Sequence, residues 1–105
     1  MIVVSDTTPL ISLLKINQLD LLEKLFGEVL IPEAVFNELT VDERFQLEAQ
    51  LIRQKEFIAV KPVNNLESVS ILKRATGLDQ GESEAIVLTD ELNTFRELKK
   101  KETAV

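Results

Sequence analysis

Three short apolar runs, each followed by a helical pattern, constrain the fold of this chain more than any other feature. These runs are Ile2–Val4, Val29–Ile31 and Phe57–Lys61. Apolar and β-branched residues in runs this short are typical of strands buried in a sheet. Because the runs alternate with helical patterns, the sequence predicts an α/β fold with a parallel sheet and helices on both faces.

Proline and glycine mark most of the predicted helix ends. Thr8 before Pro9 predicts an N-cap followed by the first helical residue. Gly27 and Gly77 stand where helices are predicted to end, and Asn64 or Asn65 can cap the helix before Gly77. The predicted helices cover, approximately, residues 9–15, 19–26, 32–39, 42–54 and 66–76, with a last one from 82 to between 92 and 101.

The composition excludes several classes of catalytic site. The chain has no histidine and no cysteine, so Ser-His triads, imidazole zinc sites, thiolate sites and disulfides are all ruled out. Any chemistry must depend on carboxylates, hydroxyls, lysine and arginine, or on a metal ion that they hold. A chain without cysteine also suits a reducing compartment.

The net charge and the N-terminal residues bear on the partners and the cellular location that we expect for the chain. Eighteen acidic residues against twelve basic ones give a formal net charge of −6, which does not favour a large nucleic-acid footprint. The N-terminal apolar run is too short for a signal peptide or a membrane span. We therefore expect one globular domain, residues 1–105, in the cytoplasm.

Asp6 follows the first strand and is the first candidate site residue. In parallel α/β sheets, ligands bind beside the carboxyl ends of the strands, and Asp6 lies at such an end. The alternative is that Asp6 caps the helix that follows. Thr8 is better placed for that role, which favours Asp6 as a ligand.

Three glutamates are the other candidates. Glu38 borders the apolar stripe of its helix, although a lone glutamate there is usually solvated. Glu82 and Glu84 flank the start of the last helix, where acids also complement the helix dipole. If the start of this helix faces the sheet edge, it delivers one or two carboxylates toward Asp6.

A group of carboxylates at one edge requires a counterion, because like charges raise one another's pKa. Ligation by oxygen alone points to Mg²⁺ or Mn²⁺. Such an ion suits phosphodiester cleavage. It also gives an acidic protein a local positive charge with which to approach RNA.

Three stretches together resemble the PIN-domain family, and in particular its VapC-like ribonucleases. In order along the chain they are "IVVSDTTPLISLLKI", "LFGEVLIPEAVFNEL" and "GLDQGESEAIVL". The resemblance implies an α/β/α sandwich around a parallel sheet. It also implies an Mg²⁺- or Mn²⁺-dependent endoribonuclease built from several acids, often the toxin of a toxin–antitoxin pair.

Matched by motif, the resemblance assigns the site residues. Asp6 is the first acid, with Thr7 or Thr8 as its hydroxyl neighbour, and Glu38 is the second. The third falls in "GESEA" and is Glu84 or Glu82; Glu84 is favoured as the catalytic acid, and both are candidate metal ligands.

The final stretch, "NTFRELKKKETAV", departs from the family pattern of a further strand that ends in acids. We therefore expect a sheet that is incomplete at its C-terminal end. Two hypotheses follow. The first is an active ribonuclease with RNA and a small antitoxin as partners. The second is a truncated, inactive PIN-like module that binds RNA, a protein partner or a second copy of itself, and in both a homo-oligomer is expected.

Overall fold

The computed structural model describes the backbone of residues 2–103 and the side chains of residues 2–94. Strands and helices alternate along this part of the chain, as predicted. In order, the elements are β1 (Ile2–Val4), α1 (Thr7–Lys15), α2 (Leu21–Phe26), β2 (Glu28–Pro32), α3 (Glu33–Val41), a 3₁₀ turn (Glu43–Phe45), α4 (Gln46–Arg53), β3 (Ile58–Lys61), α5 (Leu66–Thr76) and α6 (Gln80–Thr103).

The three strands form one parallel sheet with β2 in the centre. The order is β1-β2-β3, and Val3 pairs with Val29 while Leu30 pairs with Ala59. Parallel neighbours require a crossover between them, which the intervening helices supply. The predicted parallel α/β sheet is therefore confirmed.

Alternate residues of β2 enter two separate cores, one on each face of the sheet. Val29 and Ile31 pack with α1, α2, α3 and α4. Leu30 packs on the opposite face with α5 and α6, through residues such as Val69 and Leu88. Because side chains alternate across a strand, a central strand covered on both faces is apolar throughout. The result is the three-layer α/β/α sandwich that the resemblance implies.

The start of α1 corrects one prediction. Asp6, not Thr8, is the N-cap, and its Oδ1 accepts the backbone N–H of Thr7 at 2.7 Å. Pro9 is then the third helical residue, which is tolerated because the first N–H groups of a helix have no partner within it. The argument that Thr8 relieves Asp6 of capping was therefore wrong.

The region predicted as one helix over residues 42–54 is two elements. Asp42 accepts the backbone N–H of Arg44 and caps a 3₁₀ turn, and α4 begins only at Gln46. By contrast, α5 has the predicted bounds, with Asn65 as its cap and Gly77 in the left-handed conformation at its end. Within residues 2–103, no helix has both the length and the apolar character that a membrane span requires.

Candidate active site

Asp6 and Thr7 lie where β1 ends and α1 begins, at the carboxyl edge of the sheet. Asp6 is half-buried, and one of its carboxylate oxygens is held by the Thr7 backbone. Asp6 is therefore both a helix cap and an acid at the strand end, two roles that the sequence treats as alternatives. The other oxygen has no hydrogen-bond partner among the side chains and backbone groups of residues 2–94.

Glu38 comes to the same edge from the last turns of α3. The Thr7 hydroxyl donates a hydrogen bond to Glu38 Oε2 at 2.9 Å, across a separation of 31 residues. Thr7 thus binds Asp6 through its backbone and Glu38 through its side chain. Thr8 is exposed, and within the described residues its hydroxyl binds neither acid, so Thr7 is the hydroxyl neighbour of the pair.

The start of α6 brings two more acids, Asp79 just before the helix and Glu82 in its first turn. The Asp79 side chain accepts the backbone N–H of Glu82 at 2.7 Å and so caps the helix. The Asp79 charge raises the pKa of Glu82 above its usual range, and burial and the charge of Asp6 add smaller effects in the same direction. Glu82 is therefore close enough to Asp6 for the two charges to repel one another.

Glu84 lies one helical turn after Gln80 and is held more firmly than the other acids. It is 7% exposed, its Oε1 accepts the backbone N–H of Ala34 at 3.3 Å, and its Oε2 accepts the Gln80 side-chain amide at 2.6 Å. The N–H groups at the start of a helix lack partners within the helix. Glu84 supplies one to α3 and so joins α6 to α3.

Glu38 and Glu84 face the same groove, which has a volume of about 530 Å³. The groove lies between α3 and the start of α6. Its walls are formed by Glu33, Ala34, Asn37, Glu38, Val41, Gln80 and Glu84. The fold therefore connects Asp6 to Glu38 through Thr7 and places Glu38 and Glu84 on one groove, while Glu82 is near enough to Asp6 to sense its charge.

The side chains fit a hard divalent cation in chemistry but are not arranged as a ligand set. All the donors are oxygens, which Mg²⁺ and Mn²⁺ prefer, and a cation would relieve the repulsion that raises the pKa of Glu82. Among the residues that the structure describes, however, no three acids converge closely enough to hold one ion. Both oxygens of Glu84 are already engaged by protein donors.

Comparison with known protein families identifies the family to which the chain belongs. The DUF3368 family of PIN domains matches residues 2–96, nearly the whole chain. The chain belongs to the PIN-domain family. Membership indicates a nuclease-type function, and PIN domains in general depend on divalent metal ions. Searches of curated proteins and of solved structures found no match.

Three residues that shape this PIN-domain site had no role in the sequence interpretation beyond a possible cap at Asp79. Asp79 raises the pKa of Glu82, Gln80 binds Glu84, and Gly81 lies against Glu38. All three belong to the "DQGESE" stretch. The sequence signal for Gly81 is a glycine at an early helical position, where alanine is intrinsically favoured.

Proposed function

We propose that this PIN domain is a metal-dependent endoribonuclease of the VapC type. The observation that carries the proposal is the Thr7–Glu38 hydrogen bond. It joins Thr7, whose backbone N–H binds Asp6, to an acid on α3, at the edge where parallel α/β sheets bind their ligands. Family membership then favours hydrolysis of a phosphodiester over other uses of acids at a strand end.

In this proposal the catalytic acids are Asp6, Glu38 and Glu84. The same three residues and Glu82 would supply the oxygen donors for Mg²⁺ or Mn²⁺, and to do so the acids would have to move closer together and Glu84 would have to release the Ala34 N–H or the Gln80 amide. When bound, the ion polarises water and offsets the charge that develops on the phosphate. The chain's own contribution is to orient these acids: Thr7 holds Asp6 and Glu38 in place, and Gln80 holds Glu84.

RNA is the proposed substrate even though the net charge of the chain is −6. A divalent ion at the acidic edge would change the local sign of the charge and attract a phosphate there. We therefore expect cleavage to depend strictly on the added metal.

The direct test is RNA cleavage with Mn²⁺ or Mg²⁺ by the wild-type chain, Asp6→Asn and Asp90→Asn. Asp90 is an exposed acid on α6 that lines the separate groove between α5 and α6 and not the one between α3 and α6, so its variant controls for the loss of one negative charge. Wild type and Asp90→Asn should cleave RNA, and Asp6→Asn should not. An absence of cleavage by all three proteins, or equal cleavage, would overturn the proposal.

The second candidate is a PIN-like module that binds RNA or protein without cleaving. The specific observation in its favour is that, over residues 2–94, no three acids are arranged around one metal position. Calorimetric titration with Mn²⁺ separates the two functions. Binding that Asp6→Asn abolishes favours the nuclease, and no binding favours the module.

The similarity of the three motifs to VapC-like ribonucleases also leads us to propose a toxin role with a small antitoxin as partner. Induced expression should then arrest growth, and co-expression of the antitoxin should relieve the arrest. Growth that is unchanged by expression would contradict this role.

We propose further that the chain is a homo-oligomer. Ile71 and Ile86 are 52% and 49% exposed and line one groove between α5 and α6, which gives a second copy an apolar surface to cover. Light scattering should show an oligomer that Ile86→Glu dissociates. A monomeric wild type at high concentration would contradict this proposal.

A further inference from the structure

We propose that Gly81 is a positioning residue that sets the location of the Glu38 carboxylate; this inference rests on the proposed function. Gly81 is the second residue of α6 and is buried against α3. A Cβ atom at this position would lie 2.7 Å from Glu38 Oε1 and 3.3 Å from a methyl group of Val35. The absence of a side chain at Gly81 therefore creates the space that the Glu38 carboxylate occupies.

The backbone does not explain why glycine stands here. Among residues 2–103, the glycines with positive φ are Gly27 and Gly77, so Gly81 has a conformation that alanine adopts without strain. Glycine inside a helix is less favourable than alanine by about 1 kcal/mol. The close approach of α3, with Glu38 at its edge, supplies the physical reason for glycine.

The same distances show which group would yield to a larger residue. Val35 is fully buried in the core and cannot move without disturbing its neighbours. Glu38 is exposed, and its carboxylate is the far end of a flexible side chain. A Cβ at Gly81 would therefore displace the Glu38 carboxylate and leave most of the fold in place.

Displacement of Glu38 has a consequence for the acidic edge. The carboxylate lies between α6 at Gly81 and the hydroxyl of Thr7, which donates to its Oε2. We expect a Glu38 carboxylate that is displaced from α6 to lose the present geometry of that hydrogen bond. Gly81 thus acts on Glu38 from one side and Thr7 acts on it from the other, and neither residue needs to contact the substrate.

The test is Mn²⁺ affinity, measured by calorimetry, for wild type, Gly81→Ala, Glu38→Asp and the double variant. Gly81→Ala should bind Mn²⁺ about tenfold more weakly, the size of effect seen when a group that orients a ligand is lost. Aspartate at 38 withdraws the carboxylate by one methylene. Gly81→Ala should therefore cost no further affinity in the Glu38→Asp background.

Gly77→Ala is the matched control. Gly77 has φ of +75° and open space around it, so alanine there strains the backbone but touches no acid. It should lower the melting temperature and leave Mn²⁺ affinity unchanged. Wild-type affinity in Gly81→Ala, or an equal loss of affinity in both Glu38 backgrounds, would overturn the proposal.

A metal-independent measurement separates this proposal from the proposed function. If the wild-type chain binds no Mn²⁺, the proposed function fails, and the thermal stabilities of Gly81→Ala, Thr7→Val and their double variant decide the role of Gly81. Thr7→Val should lower the melting temperature of wild type and have no effect in Gly81→Ala. Additive effects of the two substitutions would overturn the positioning role.

Discussion

Glu38 and Glu84 line the same groove but are held in opposite ways. Glu38 is exposed and, within the described part of the chain, accepts one hydrogen bond, from the hydroxyl of Thr7. Glu84 is 7% exposed and has both oxygens occupied, by the Ala34 backbone and the Gln80 amide. Glu38 is therefore open to a ligand, whereas Glu84 belongs to the contact that joins α6 to α3.

This difference indicates that Glu84 contributes mainly to the stability of the fold, whereas Glu38 stays accessible to a ligand. A buried carboxylate is tolerated only when hydrogen bonds compensate for its desolvation, and Glu84 meets that condition through α3 and its own helix. Glu38 is positioned by the Thr7 hydroxyl and by the space that Gly81 leaves, and its exposed carboxylate stays open to a ligand. The three predictions below test this division, from the largest expected effect to the smallest.

Glu84→Ala should destabilise the fold by about 2 kcal/mol, because it leaves the Ala34 N–H and the Gln80 amide without their acceptor. Glu38→Ala should change stability by no more than about 0.5 kcal/mol, as is usual for exposed positions. Urea unfolding of the two variants checks both values. Equal stabilities of the two variants would mean that Glu84 contributes no more to the free energy of unfolding than Glu38.

Thr7→Val should cost about 0.5 kcal/mol, the low end of the net contribution of one hydrogen bond, because it removes the exposed donor to Glu38 while keeping the side-chain shape. Thr8→Val is the matched control: it is the same substitution at the next helical residue, which is exposed. Its effect on the free energy of unfolding should be near zero. If the two variants are equally stable, the hydroxyl of Thr7 does not hold Glu38 in solution.

Asp79→Asn should lower the pKa of Glu82, because the charge of Asp79 is the main reason that this pKa is raised. Asparagine retains the capping oxygen, so the start of α6 should be preserved. Asp6→Asn should lower the same pKa by less, since Asp6 makes the smallest contribution. NMR titration of the Glu82 carboxyl carbon measures both shifts, and a larger effect of Asp6→Asn would reverse the assigned causes.

The raised pKa of Glu82 also fixes the sign of its pH dependence. A folded-state pKa above the ordinary value of 4.5 means that the folded chain holds this proton more tightly than the unfolded chain. Its contribution to stability is present below pH 4.5 and is lost as the pH rises through the raised value. Asp79→Asn should weaken that loss.

The strands and α5 could be predicted because their signals are local. A run of β-branched residues marks β1, and Asn65 and Gly77 mark the two ends of α5. The start of α1 could not be predicted with the same certainty. Asp6 and Thr8 are both good N-cap residues, and Pro9 is allowed at several positions of a first turn, so only the backbone conformation decides between them.

The position of Asp6 and Glu38 at one edge of the sheet could also be predicted, but the surroundings of the acids could not. Asp6, Glu38 and Glu82 follow from strand ends and helix faces. The partners of Glu84 depend on how closely α6 approaches α3. Local sequence patterns predict each helix separately but not the distance between two helices. For the same reason the sequence does not reveal that Gly81 makes room for Glu38.

The contact between Ala34 and Glu84 joins residues 50 positions apart. Such long-range contacts form only after the intervening chain has closed into a loop, and they therefore belong to the later stages of folding. During synthesis, the groove cannot be assembled before the start of α6 has left the ribosome. The groove is therefore complete only when the chain has been made through Glu84.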